Sequence, residues 1–144
     1  MKKNTLIPLL NVKNVRDSLD FYERAFGFKT KKIFYAPDNK KDIAFAKMSF
    51  EDQVIIMLKP QDLLCSGSKS PSSLNIISPS PMYVYCKNID RFYEKAIKEG
   101  AISLATPHNT FWSDRVCKVL DHDGYEWMFA LRGEYEYYRG CSTN

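Results

Sequence analysis

The chain has 144 residues, of which 44% are hydrophobic and 26% are charged, enough for a single folded domain with its own core. No apolar run approaches the ~18 residues of a membrane span, so we expect no membrane partner. The net charge of +4 is mild and the lysines of the first half fall on strand and turn segments, so we expect no nucleic-acid partner. The four cysteines form no Cys-x-x-Cys pair, which favours a reduced, cytoplasmic protein without a zinc or redox motif.

The first half of the sequence predicts a strand, a helix and three more strands. Residues 5–12 are apolar and extended in character, and Pro8 indicates a sheet edge or a strand start. Helical spacing then predicts a helix that Asn14 caps and Gly27 ends. Its apolar positions are Val15, Leu19, Tyr22 and Phe26. The further strands are predicted at 28–35, 43–50 and 53–58.

The second half repeats this order after a segment of different composition. Residues 60–79 are rich in proline and serine, which predicts a linker or surface loop. A strand at 82–86 follows, with Tyr83 and Tyr85 on one face, and then a helix at 89–98 that ends before Gly100. Three strands are predicted at 102–106, 115–120 and 125–131. The tail from 133 onward is rich in tyrosine and glutamate at 134–138 and is a segment that could dock on a neighbouring surface.

A spacing that recurs along the sequence indicates that the chain consists of two similar halves. The spacing from Lys13-Asn14 to Gly27 differs by one residue from that between Lys87-Asn88 and Gly100. We therefore predict one domain over 1–144, assembled from two copies of one unit. Module 1 is predicted at about 5–59, the linker at 60–79, module 2 at 80–132 and the tail at 133–144.

Three short motifs carry a resemblance to a known family. They are Phe-Tyr at 21–22 with Phe-Gly-Phe at 26–28, Phe-Trp-Ser-Asp-Arg at 111–115 and Asp-His-Asp-Gly-Tyr-Glu-Trp at 121–127. Together with the paired modules they resemble the vicinal oxygen chelate superfamily, which includes glyoxalase I, extradiol dioxygenases and bleomycin-resistance proteins. The nearest branch is the bleomycin-resistance-like one, with Ser113 where that branch has glycine. The resemblance implies an α+β fold of two βαβββ modules that form a curled sheet around a cleft, commonly in a homodimer.

The resemblance also implies where a metal would be held. The metalloenzymes of the superfamily place ligands on the first and last strands of each module, and the corresponding positions here are Ile7, Met57, Pro81 and Met128. None carries the imidazole or carboxylate that a hard or borderline divalent ion requires. We therefore expect no metal and no cofactor.

The expected site is an apolar and aromatic cleft, with Arg115 as a polar anchor for an anionic ligand. Trp127 is expected in the core, and Asp114 is expected to hold a loop. No catalytic residue is assigned. The predicted ligand-binding residues are Met57, Tyr83, Tyr85, Trp112, Arg115, Glu126 and Met128.

Three functions are compatible with this pattern. The first is a homodimeric protein that binds a small-molecule ligand without metal, as in the sequestration of a drug or a metabolite. The alternative is a metal-dependent lyase, isomerase or dioxygenase of the glyoxalase type with a non-standard ligand set. The third is a fold kept for protein–protein contact alone.

Overall fold

The computed structural model describes residues 5–133. The chain divides into two compact units between Ile76 and Ile77, the first containing module 1 and the second module 2. Within the described residues, no helix is long and apolar enough to span a membrane.

Module 1 is a four-stranded sheet with one long helix. In spatial order the strands are β1, β4, β3 and β2, with β1 parallel to β4 and the other neighbours antiparallel. The elements are β1 (Leu9–Val12), α1 (Val15–Phe26), β2 (Lys29–Tyr35), β3 (Ile43–Phe50) and β4 (Gln53–Pro60).

Helix α1 begins and ends as its sequence predicts. The Asn14 side chain accepts a hydrogen bond from the Asp17 backbone N–H at 3.0 Å, which satisfies one of the amides that a helix start leaves unpaired. Gly27 takes a left-handed conformation with φ of 70°, the geometry that glycine tolerates best at a helix end. The buried face of α1 supplies aromatic rings to the module core: Phe21, Tyr22 and Phe26.

Module 2 repeats the arrangement with the order β5, β8, β7 and β6, and β5 is parallel to β8. Its elements are β5 (Met82–Tyr85), α3 (Ile89–Lys98), β6 (Ile102–Asn109), β7 (Asp114–Leu120) and β8 (Glu126–Arg132). Phe92 of α3 packs on Phe129 of β8 with ring centroids 4.2 Å apart. Trp127 is fully buried and stacks beside Phe129. One face of this sheet therefore supports the helix.

The predicted fold class, α+β with two βαβββ modules, is confirmed. Strand β1 is shorter than predicted and begins at Leu9, directly after Pro8, and it lies at the edge of its sheet. The segment 60–79 also differs from a plain surface loop. It contains a short 3-10 turn at Leu63–Cys65 and the one-turn helix α2 (Pro71–Leu74).

Helix α2 is capped by Ser70, which belongs to the segment 60–79 whose composition predicts an exposed loop. Ser70 is fully buried and its hydroxyl accepts a hydrogen bond from the Ser73 backbone N–H. A serine that caps a helix satisfies its own polar group, so burial costs little. The tyrosine-rich part of the tail, at 134–144, lies outside the described residues.

Candidate functional site

Each sheet has one face that supports the long helix of its module and one that does not, here called the helix-free face. In β8, Trp127 and Phe129 are on the helix side, so the alternate residues of that strand point to the helix-free face. The strand register then places Tyr83 beside Met128, Tyr85 beside Ala130 and Asp114 beside Arg132. The register therefore brings together residues of β5, β7 and β8 on the helix-free face of module 2.

A buried carboxylate organises this face. Asp114 is only 5% exposed, and its Oδ2 accepts hydrogen bonds from the hydroxyls of Tyr83 at 2.6 Å and Tyr85 at 3.2 Å. A charged acceptor makes stronger hydrogen bonds than a neutral one, and a buried carboxylate needs such partners. Asp114 thus holds two phenol rings that come from a different strand.

The indole of Trp112 completes the cluster. Its Nε1–H donates to the Tyr83 hydroxyl oxygen at 3.1 Å, while the Tyr83 hydroxyl itself donates to Asp114. Burial, and then the hydrogen bond to Asp114, raises the pKa of Tyr83 to about 12. The Tyr83 phenol is therefore a fixed neutral donor across the physiological range of pH. We call Tyr83, Tyr85, Trp112 and Asp114 the tyrosine–aspartate cluster.

The rings of the cluster remain accessible even though their polar ends are engaged. Tyr83, Tyr85 and Trp112 are 41%, 44% and 40% exposed. The Arg132 guanidinium lies over the Tyr85 ring, 4.4 Å from its centroid, a favourable cation–π distance. The cluster therefore presents aromatic surface in fixed orientations.

The turn before β7 positions Trp112 and Asp114. Thr110 closes it: its hydroxyl donates to the Asp114 carbonyl at 2.9 Å and accepts from the Asp114 N–H at 3.1 Å. Ser113 has a φ of 77°, in the left-handed region that favours glycine. This geometry accounts for the glycine that the bleomycin-resistance-like branch carries at the corresponding position.

Arg115 points away from the cluster. As the next residue along β7 it lies on the helix side, where its Nη2 and Nε contact the two carboxylate oxygens of Asp90 at 2.7 and 2.8 Å. Its Nη1 also donates to the Asn109 side-chain oxygen. The hydrogen bonds from Arg115 hold the pKa of Asp90 below its usual value. Arg115 thus joins α3 to the sheet, and the structure does not bring it to the other predicted site residues.

Glu126 and Met128 do share the helix-free face of module 2. Glu126 is nearly buried and pairs with Lys118 of β7, with 3.0 Å between the carboxylate oxygen and Nζ. Met128 is half-buried and lies between Lys118 and Tyr83 in the strand register. The carboxylate of Glu126 is therefore already neutralised by a lysine of its own module.

Met57 occupies the equivalent place in module 1. It lies between Leu9 of β1 and Lys47 of β3, on the helix-free face, since its neighbours Ile56 and Leu58 are buried on the helix side. Met57 and Met128 offer thioethers, whereas Ile7 and Pro81 offer no side-chain donor. These residues do not fit a divalent metal such as zinc or nickel. Across residues 5–133, no three His, Cys, Asp or Glu side chains are grouped as a metal site would require.

Sequence reasoning did not identify two residues that contact the tyrosines of the cluster, Asp114 and Arg132. Asp114 was expected to hold a loop, and nothing in the local sequence says that its partners are Tyr83 and Tyr85, which are 31 and 29 residues away. The usable signal was the alternation of β7, since Asp114 and Arg115 must face opposite sides of the sheet.

Solved structures share this architecture. TioX from Micromonospora sp. ML1 superposes with a TM-score of 0.68 at 17% identity, over 90% of this chain and 98% of that one. A glyoxalase-related enzyme from Fulvimarina pelagi gives 0.65 at 14% identity, over 91% and 89% of the two chains. A glyoxalase I mutant from Zea mays gives 0.66 at 16% identity, over 90% of this chain and 45% of that one. At these identities the likeness concerns the fold alone.

Sequence comparison gives the family. An uncharacterized protein of Mycobacterium bovis is 25% identical over 126 residues, which are 87% of this chain and 81% of that protein. The family model described as the Glyoxalase/Bleomycin resistance protein/Dioxygenase superfamily matches residues 6–129, nearly the whole described chain. The chain therefore belongs to the Glyoxalase/Bleomycin resistance protein/Dioxygenase superfamily.

Proposed function

We propose that this protein binds a planar, largely apolar small molecule on the helix-free face of module 2, without a metal. The observation that carries the proposal is the tyrosine–aspartate cluster. Its aromatic rings are about two-fifths exposed, yet their polar atoms are engaged within the protein. Rings that are already fixed lose little conformational freedom when a ligand stacks on them, which favours affinity.

The chemistry of the cluster favours binding over catalysis. A general acid or base must exchange a proton near neutral pH, whereas the pKa of Tyr83 is raised to about 12. Among the described cysteines, Cys117 is fully buried, and burial raises the pKa of its thiol to about 11, so it stays protonated. Sequestration of a ligand requires neither a nucleophile nor a proton relay.

Trp112 provides the reporter for a direct test. Of the two tryptophans, Trp112 is partly exposed in the cluster and Trp127 is fully buried on the helix side. A panel of planar aromatic compounds should therefore include ligands that change the tryptophan emission. The Trp112→Phe variant should lose that signal while Trp127 continues to emit.

A matched pair of tyrosine variants localises the binding. Tyr85→Ala removes an exposed ring of the cluster and should weaken binding roughly fivefold, the scale of one aromatic contact. Tyr93→Ala is the control, since Tyr93 lies on α3 and donates to Ser103 away from the cluster. Equal affinity of the Tyr85→Ala variant and the unaltered protein for every ligand found would contradict the proposal.

The chemistry of the four positions that the resemblance assigns to metal ligands argues against the metal-dependent alternative, because Ile7, Met57, Pro81 and Met128 carry neither imidazole nor carboxylate. The homodimer expected from the resemblance stays a prediction, and light scattering would test it by giving twice the chain mass of 16.7 kDa.

A further inference from the structure

The helix-free face of module 1 carries lysines without acidic partners. Lys32 of β2 lies directly opposite Lys47 of β3, and Lys47 in turn lies beside Met57 of β4. Lys59 is two residues beyond Met57 on the same face and is paired in register with Asn11. Among the residues that the structure describes, none of these lysines forms an ion pair. Like charges that face each other across two strands repel.

In module 2 the lysine at the equivalent position forms an ion pair with a carboxylate. There Lys118 lies beside Met128 just as Lys47 lies beside Met57. Lys118, however, is neutralised by Glu126 at 3.0 Å, two residues before Met128. In module 1 the residues at this point of β4 are Val54 and Ile55, where the strand register shifts, and neither carries a charge. The two modules therefore differ at equivalent positions by one carboxylate, and module 1 has an additional lysine opposite.

Apolar and aromatic side chains surround the module 1 lysines. Phe34 and Phe45 are opposite each other with ring centroids 5.8 Å apart, and the Lys32 Nζ lies 4.9 Å from the Phe34 ring centroid. Phe34 is 40% exposed, and Leu9, next to Met57, is 45% exposed. This face therefore offers flat apolar contact and unpaired positive charge within a few strand spacings.

We propose that the helix-free face of module 1 binds an anionic aromatic small molecule, a carboxylate or sulfonate carried on a flat ring system. The anion would lie between Lys32 and Lys47 and relieve their repulsion, as Glu126 neutralises Lys118 in module 2. The rings would contact Phe34, Phe45 and Met57. This proposal concerns module 1 alone and does not depend on the tyrosine–aspartate cluster.

Two fluorescent probes that differ by one charge test the proposal. The probe 8-anilino-1-naphthalenesulfonate carries an anionic sulfonate, and N-phenyl-1-naphthylamine has the same rings without it. At low ionic strength the sulfonate probe should bind more tightly than the neutral probe. Because exposed charges are screened within about 10 Å at 0.1 M salt, the preference should shrink in high salt.

Lysine variants then locate the charge. Lys47→Gln should weaken the sulfonate probe roughly threefold, and the Lys32→Gln/Lys47→Gln double variant roughly tenfold, with little change for the neutral probe. Lys98→Gln is the matched control, because it removes the same charge from the exposed surface of α3. Circular dichroism and thermal melting show that each variant is folded.

Three results would overturn the proposal. One is equal binding of the two probes. Another is an equal effect of Lys98→Gln and Lys47→Gln, which would indicate general attraction to a protein of net charge +4. The third is a gain in sulfonate affinity on deletion of 134–144 that the lysine double variant abolishes. That gain would assign the face to the chain's own acidic and aromatic sequence, which includes Glu134 and Glu136.

Discussion

Ser113 combines a left-handed backbone with a buried hydroxyl. Its φ is 77°, and its Oγ has no hydrogen-bond partner among the described residues. A left-handed conformation costs a non-glycine residue about 1 kcal/mol or more, and a buried hydroxyl without a partner adds to the cost. This residue sits between Trp112 and Asp114, so the strain lies next to the proposed ligand site.

We expect Ser113→Gly to raise the free energy of unfolding by about 1 kcal/mol, since glycine takes this φ without penalty. Urea denaturation measures the change. Ser113→Ala is the control, because it removes the hydroxyl but keeps the unfavourable φ. Its gain in the free energy of unfolding should be smaller than that of Ser113→Gly. A Ser113→Gly protein that is less stable than the unaltered one would show that the turn is not strained as its geometry implies.

Tyr83 makes the stability of the fold depend on pH, and the direction of that dependence follows from its pKa. Below about pH 10 both the folded and the unfolded protein hold the phenol proton. Between about pH 10 and 12 the unfolded chain releases it while the folded protein retains it, so this tyrosine makes stability fall with rising pH. The free energy of unfolding of the Tyr83→Phe variant should therefore fall less steeply with rising pH over that range.

Denaturant unfolding at several alkaline pH values measures this slope. Tyr93→Phe serves as the comparison, since its hydroxyl bonds to Ser103 and not to a carboxylate. Identical slopes for Tyr83→Phe and the unaltered protein would argue against the raised pKa and against the hydrogen bond to Asp114.

At the scale of the elements, the two copies of Lys-Asn start their helices differently. Asn14 is extended and its side chain caps α1. Asn88 has a φ of 52° and makes no side-chain cap to α3. The same dipeptide therefore supplies a hydrogen bond in module 1 and a left-handed turn in module 2, a conformation that asparagine tolerates better than most residues.

We expect opposite responses at these two positions. Asn14→Ala should lower the free energy of unfolding by about 1 kcal/mol through the lost cap. Asn88→Gly should leave stability unchanged or raise it slightly, because glycine adopts a left-handed φ more readily. Thermal melting of both variants checks the contrast. A marked loss of stability in Asn88→Gly would mean that the Asn88 side chain supports the fold in a way its hydrogen bonds do not show.

At the scale of the whole molecule, metal addition distinguishes the proposed ligand-binding function from the metal-dependent alternative. A metal that binds the folded state at 100 times its Kd would add about 2.7 kcal/mol of stability. We expect zinc, nickel and iron to leave the melting temperature unchanged, because Ile7, Met57, Pro81 and Met128 cannot replace the water that a dication sheds. Near-stoichiometric metal in the gently purified protein, found by elemental analysis, would refute this expectation.

The elements of both modules could be predicted from the sequence because their signals are local. Helix α1 has the predicted bounds, since its apolar spacing, its cap at Asn14 and its stop at Gly27 all lie within a few turns of chain. The bounds of β3 were also predicted correctly. The motifs at 26–28, 111–115 and 121–127 sufficed for the superfamily, which the family model confirms.

The composition of 60–79 was less informative. Serine and proline indicated a loop, but Ser70 is buried as a helix cap, because a short polar side chain can be satisfied by neighbouring backbone. Whether such a residue lies inside or outside depends on what packs over it, and local composition does not contain that information.

The sequence by itself determined the order of strands and helices and the repeat of one unit in the two modules. Only the tertiary structure decided that Asp114 joins Tyr83 and Tyr85 while Arg115 joins Asp90, and that Lys32 faces Lys47. The physical reason is that alternation along a strand is local, whereas the pairing of strands depends on register between distant segments. A shift of one residue in that register would exchange the two faces and, with them, the proposed sites.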